Sequence, residues 1–191
     1  MEVFWRKGFE ATSLADLTAA MGINPPSLYA AFGDKERLFL EAAGHYEETR
    51  FALCPYTEEP TARAAVERLL AHLADELPSA DQPGCLMVMT MAISGASQEL
   101  KDALEKPRAE VRGRFRARIE RGIREGDVPA GTDAAALTDF YGAVISGMAL
   151  QARAGAGRKS MRAAARQALS LFPPVQARRA PARGKGQRAS V

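Results

Sequence analysis

Chain breakers fall so close together in the first 45 residues that only short helices fit between them: Gly22, then Asn24-Pro25-Pro26, then Gly33-Asp34. Ser13, followed three residues later by Asp16, fits a capping box that opens an apolar-periodic run, in which Leu14, Leu17 and Met21 share one helical face. Gly22 allows the left-handed backbone on which such a helix stops, and Ile23 follows as an apolar plug. Asn24 can cap the next helix, and Pro25 suits its first turn, where a proline forfeits no intrahelical hydrogen bond. Leu28 and Phe32 face inward and leave Ser27, Tyr29 and Ala30 outside. Asp34 is a fresh cap for a third helix beginning Lys35-Glu36-Arg37-Leu38-Phe39. Residues 12–39 thus contain two short helices around a tight turn, a helix-turn-helix.

A longer set of spaced residues surrounds this motif. Phe4, Gly8, Phe9, Thr12 and Ser13 form an entry of the type F-x-x-x-G-[FY]-x-x-T-[ST], and Tyr29, Phe32, Lys35 and Glu36 form an exit of the type Y-x-x-F-x-x-K-[ED]. Over about 45 residues the chain resembles the TetR/AcrR family of bacterial one-component transcription regulators. The resemblance implies an all-α protein, with an N-terminal three-helix DNA-binding domain and a C-terminal helical domain for ligand binding and dimerisation. It implies a DNA-binding regulator, mostly a repressor, that binds a palindromic double-stranded operator as a homodimer and is released by a small molecule. Neither catalysis nor a cofactor is expected, because the chain has no G-x-S-x-G, no glycine-rich phosphate loop and no H-E-x-x-H.

Site residues carry over by position. Tyr29 and Lys35 match family positions that contact operator phosphates, and a phenol and an ammonium at a helix start suit that contact. Thr12 and Ser13 serve either as caps or as presenters of free N–H groups to a phosphate, and both roles are compatible. Asn24, Pro25, Pro26 and Ser27 open the recognition helix, whose N-terminal residues face base edges in this type of docking. Two prolines and a serine offer few directional donors, so thymine methyl contacts and DNA shape are expected to carry much of the specificity.

Charge is distributed against expectation for a DNA-binding head. Residues 1–50 hold five Lys/Arg against eight Asp/Glu, a net of −3, whereas residues 151–191 hold ten Lys/Arg and no acid. The formal net charge of +3 therefore comes from the C-terminal end. In the resemblance Met1 falls inside the first helix, which leads us to expect a native protein that extends upstream with basic residues. A helix this short is marginal in isolation, so packing of Val3, Phe4 and Trp5 must hold it.

The domain boundaries follow from composition. Residues 1–53 form the DNA-binding domain with its connecting helix, which ends where Pro55 to Pro60 interrupts the pattern; 54–174 form the effector-binding and dimerisation domain; 175–191 form a basic tail predicted to be disordered. In the second domain the pattern predicts a helix over 61–77, a loop over 78–84, and a run from Cys85 to Ile93 that is apolar nearly all round and therefore buried on all sides. An amphipathic helix is expected over 107–126, starting at Pro107, then one from Thr132 or Asp133 to about Ala152, and a last one over 158–172.

In the family the last two long helices of each subunit form a four-helix dimer interface, and Gly142, Ala143, Ser146 and Gly147 would let such backbones approach, although intrachain packing would use the same residues. Two recognition helices held roughly 34 to 36 Å apart match a palindromic site. The small-molecule effector is expected against Met87, Met91, Phe115, Ile119, Phe140 and Tyr141, a set without charge that favours an apolar or aromatic compound, and whose methionines would equally fill a core. A cysteine-based redox or metal-responsive regulator is the alternative, using Cys54 and Cys85 with His45 and His72, none in close ligand spacing. Two cysteines, no run of 18 apolar residues and no signal peptide lead to an expected cytoplasmic protein with no membrane partner.

Overall fold

The computed structural model describes residues 1–51, 54–81 and 83–174. Among the described residues there are nine α-helices and no strand. The basic tail expected from Gln176 onward lies outside them, as does Leu53.

Four helices make the head: α1 (Glu2–Lys7), α2 (Leu14–Met21), α3 (Pro25–Phe32) and α4 (Lys35–Tyr46). Their ends follow local chemistry. Ser13 and Asp16 form a reciprocal capping box, Asn24 accepts from Ser27 N–H at 2.9 Å, and Asp34 accepts from Arg37 N–H at 2.8 Å. Gly22 ends α2 at φ 67°, a left-handed conformation that a side chain would resist. Phe4 meets Phe39 edge-on at 4.9 Å between ring centroids, Phe9 lies 5.1 Å from Phe39, and Leu17, Leu28 and Leu38 close the core beneath them.

The six-residue α1 persists because its surroundings hold it. Phe4 and Trp5 are buried, and Arg153 donates to the carbonyls of Trp5 at 2.7 Å and Arg6 at 2.8 Å, in the last turn of the helix. Beyond Tyr46 the connecting helix changes character, continuing as a π-helical turn over Glu47–Phe51 rather than as regular α-helix.

The body comprises α5 (Ala62–Glu76), α6 (Leu86–Met89), α7 (Gln98–Glu125), α8 (Ala134–Arg153) and α9 (Arg158–Ser170). Helix α5 is central: it packs on α7, α8 and most extensively on α9. Val66, Leu69, Leu70 and Leu73 meet Phe115, Ile119, Tyr141, Met148 and Met161 in one core. Tyr141 is fully buried and donates to the Ala168 carbonyl at 3.0 Å. At the far end of α7, Gly122 lets α5 approach: a Cβ there would fall 2.7 Å from that of Ala62.

Two expectations need correction. Helix α7 does not begin at Pro107 but at the Ser97 cap, and it runs through the proline for 28 residues. Leu100 and Leu104 bury on the N-terminal side of Pro107, and that burial offsets the missing hydrogen bond and ring clash, about 3 kcal/mol. The run from Cys85 to Ile93 is not buried on all sides either. One α-turn and a 3₁₀ turn (Thr90–Ala92) expose Met91 to 64 % while burying Leu86 and Thr90, because so short a segment can turn only one side to the core.

Candidate nucleic-acid interface

Helix α3 presents its first turn outward. Asn24, Pro25, Pro26 and Ser27 are all exposed, whereas Leu28 is fully buried and Phe32 packs half-buried against the core, and these inward residues fix which face of the helix points away. The side-chain oxygen of Asn24 is engaged in its cap, which leaves the amide NH₂ as the directional donor from this residue. Tyr29 stands 48 % exposed on the outer side of the same helix.

Lys35 opens α4 with its ammonium 4.5 Å from the centroid of the Phe9 ring. That contact orients the charge beside the exposed face of α3. Arg37, also exposed, packs against Gly33 and lies 3.8 Å from Asp34, so a second cation stands at the same helix start. In the sequence Arg37 enters only through the charge of the head, and its position two residues after Lys35 is the signal that places it here.

Thr12 and Ser13 have different parts. Thr12 is buried to 1 % exposure and donates its hydroxyl to the Gly8 carbonyl at 2.6 Å, so its side chain belongs to the packing of the head, and the cap of α2 is Ser13 alone. Ser13 is exposed, but its hydroxyl both donates to Asp16 and accepts from the Asp16 N–H. Lys7 bonds the same carboxylate at 2.6 Å, and with Ser13 it holds the Asp16 carboxyl far below the ordinary range.

The unfavourable charge of the head is partly explained by where its acids go. Asp16 pairs with Lys7, and Asp34 caps α4. Glu10 turns to the body, where its Oε1 accepts from Ser94 N–H at 2.8 Å and Gly95 N–H at 3.3 Å; backbone N–H groups, its own and these two, hold its carboxyl below the usual value. Glu36 likewise accepts from Ser97 N–H at 2.8 Å and from the Ser97 hydroxyl.

The residues expected to line an effector site are only partly brought together. Phe115, Ile119 and Tyr141 meet in the body core, with the rings of Phe115 and Tyr141 5.9 Å apart, and Met87 is half-buried. Met91 and Phe140 lie on the outer surface. A small cavity of about 30 Å³ lies elsewhere, at the seam between head and body, against Trp5, Tyr46, Tyr56, Leu69, His72 and Leu73. It has room for about two waters. Tyr56 joins it to the core rings, 6.2 Å from Phe115. Only the tertiary arrangement shows this place, since its walls come from α1, α4, α5 and the segments on either side of α5.

Neither cysteine has the surroundings of a reactive thiol. Burial pushes both thiols up, and Cys85 accepts a hydrogen bond from the Tyr46 hydroxyl at 3.3 Å. Among the described residues no three His, Cys, Asp or Glu side chains are grouped so as to hold a metal ion, and no helix is long and apolar enough to cross a membrane.

Comparison with known proteins agrees with this arrangement. Residues 1–42 match the family of bacterial regulatory proteins described as the tetR family, and residues 62–168 match the tetracyclin repressor-like C-terminal domain. The chain is 32% identical over 181 residues to the HTH-type transcriptional repressor ComR of Escherichia coli (strain K12), spanning 92% of this chain and 86% of that protein. Among solved structures, a cysteine-substituted TetR family transcriptional regulator CifR complexed with 26bp double-strand operator DNA is 40% identical, with a TM-score of 0.83 over 90% of this chain and 92% of the other. A putative TetR transcriptional regulator from Rhodococcus sp. RHA1 is 37% identical, with a TM-score of 0.60 over 91% and 95%.

Proposed function

The chain belongs to the TetR family and is a DNA-binding transcriptional regulator rather than an enzyme; from that premise we propose that it represses transcription as a homodimer on a palindromic operator and lets go when a small molecule binds its body. The observation that carries the reading is the first turn of α3, capped and exposed above a buried Leu28, with Tyr29, Lys35 and Arg37 beside it. In this reading residues 24–27 face the base edges, Tyr29 and Lys35 hold phosphates, and Ser13 contributes only through the helix end that it caps.

Support for dimerisation comes from α8. Phe140, Ala143, Gly147 and Leu150 recur at intervals of three, four and three, so they share one helical face, and Phe140 and Leu150 are 38 % and 53 % exposed. A Cβ at Gly142 or Gly147 would meet nothing within 4 Å in this chain, so these glycines make no room for an intrachain neighbour. A second copy of α8 is the occupant we assign to that face. Phe140 accordingly serves the dimer rather than the effector.

The effector is an uncharged apolar or aromatic compound bound around Tyr56, between the seam cavity and the rings of Phe115 and Tyr141, with Ile119 and Met87 nearby. The cavity as it stands is far below the ~300 to 1,000 Å³ typical of ligand pockets. A ligand that enlarges it therefore selects a different pose of head against body, which is what release requires. The division into a head over 1–53, a body over 54–174 and a tail over 175–191 is part of the same proposal.

The test is fluorescence anisotropy of the full chain on DNA from upstream of its own gene, titrated across salt. Tight binding with a steep loss as salt rises is expected. Affinity no better than for a scrambled duplex, in DNA recovered from the whole upstream region, would refute the reading.

A further inference from the structure

Two head carboxylates grip one short loop of the body. Glu10 lies in the turn just before α2, and Glu36 in the first turn of α4, just after α3. Between them they bracket the helix-turn-helix in sequence. Both reach residues 94–97, the four residues that lead into α7: Glu10 takes the N–H groups of Ser94 and Gly95 and faces the Ser94 hydroxyl at 3.4 Å, while Glu36 takes the N–H and hydroxyl of Ser97. The loop is itself fixed to α7, since the Ser97 hydroxyl accepts from Leu100 N–H at 3.1 Å and Lys101 donates to the Ser94 carbonyl at 3.2 Å.

These contacts form a continuous rigid path. Recognition helix α3 is anchored on either side to residues 94–97, that loop is the start of α7, α7 packs along α8, and α8 carries the face assigned to the partner copy. Displacement of the loop by a given distance moves the reading head by a similar one. In a symmetric dimer it does so twice, in opposite senses.

We propose that Glu10 and Glu36 are positioning residues that set the half-site spacing this regulator accepts, by locking the head to residues 94–97. The inference rests on the dimeric-operator reading above. Neither carboxylate need touch DNA; each acts through the backbone it holds. Their negative charge, unhelpful beside a phosphate backbone, is retained because one carboxylate can accept several N–H and O–H donors at once.

The experiment uses full-length protein and a duplex that the wild type recovers from a random-sequence pool, remade with one base pair added between the half-sites. Wild type should prefer the original spacing on the order of tenfold, within the usual range of coupling between sites. The E10A/E36A variant should fall to about threefold or less with its melting midpoint and its binding to a single half-site kept near wild type. The E10Q variant is the decisive control. Its amide oxygen still accepts from Ser94 and Gly95, so it should keep the wild-type ratio, whereas E10A alone lowers it; this comparison holds even if the double variant does not fold. An electrostatic role would instead raise affinity equally in E10Q and E10A without touching the ratio, and would overturn the proposal. So would a double variant that discriminates as wild type does. A wild type that binds both spacings equally would bring down the palindromic-dimer reading, and this inference with it.

Discussion

Replacing Asp127 by Asn should destabilise the body by about 3 kcal/mol, because it strands a buried cation. Arg118 is 3 % exposed at its side chain, and its nearest opposite charge is Asp127 Oδ2, 3.9 Å away. Its Nη2 also donates to the Glu59 carbonyl at 3.0 Å, while Nε and Nη1 have no hydrogen-bond partner among the described residues. Asp127 meanwhile accepts from Ala62 N–H at 3.0 Å and so joins the turn after α7 to the start of α5. An asparagine oxygen still accepts that bond; what disappears is the counter-charge. Breaking a buried pair from one side costs about 3 to 5 kcal/mol, and the long 3.9 Å separation places this case at the lower end. For a chain of this size that is roughly a 6 to 12 °C drop in melting midpoint, read by far-UV circular dichroism at fixed protein concentration. The R118M/D127N double variant should recover to within about 1 kcal/mol of wild type, since it leaves neither a charge nor orphaned guanidinium donors inside. If D127N melts with wild type, or the double variant melts no higher than D127N, the reasoning is wrong.

Three further outcomes are expected. Gly147→Arg should leave the monomer folded, because a Cβ there meets nothing within 4 Å, yet sedimentation should show loss of the dimer and operator affinity should drop at least about tenfold. Lys35→Ala should weaken binding on all sequences alike and reduce the salt slope by about one, whereas a sequence-selective loss would assign Lys35 to base readout instead. Asp16 is held below its ordinary value of 3.8, chiefly by Lys7 and then by Ser13, so it stabilises the head above that pH and the contribution fades as pH falls toward its folded value. Wild type should therefore lose melting temperature faster than D16N between about pH 5 and pH 2, and parallel curves would contradict this.

Much of the fold is legible in the sequence wherever the determining chemistry is local. The caps at Ser13, Asn24 and Asp34, and the stop at Gly22, all act within a few residues of themselves, and each stands where the sequence places it, while of the two caps it allows for α8 the structure uses Asp133. Tyr29 falls outside the core for the same reason: buried Leu28 fixes the face of α3, and the helical period does the rest. Helix α7 shows the limit, because the local signal of Pro107 is outweighed by leucines that bury against other elements. Met91 shows it again, an apolar residue in an apolar run that the short turn nonetheless leaves outside.

What the sequence by itself determined, then, is the order of helices, the reading head and the family. Tertiary structure alone decided how that head is held. Arg153 holds the end of α1 from 147 and 148 residues away, Glu10 and Glu36 grip a loop 84 and 61 residues distant, and the seam cavity draws its walls from three separate helices and the segments on either side of α5. Such partners carry no common spacing or period, since a hydrogen bond requires only that two groups meet in space, and which groups meet is settled by the packing of the whole core.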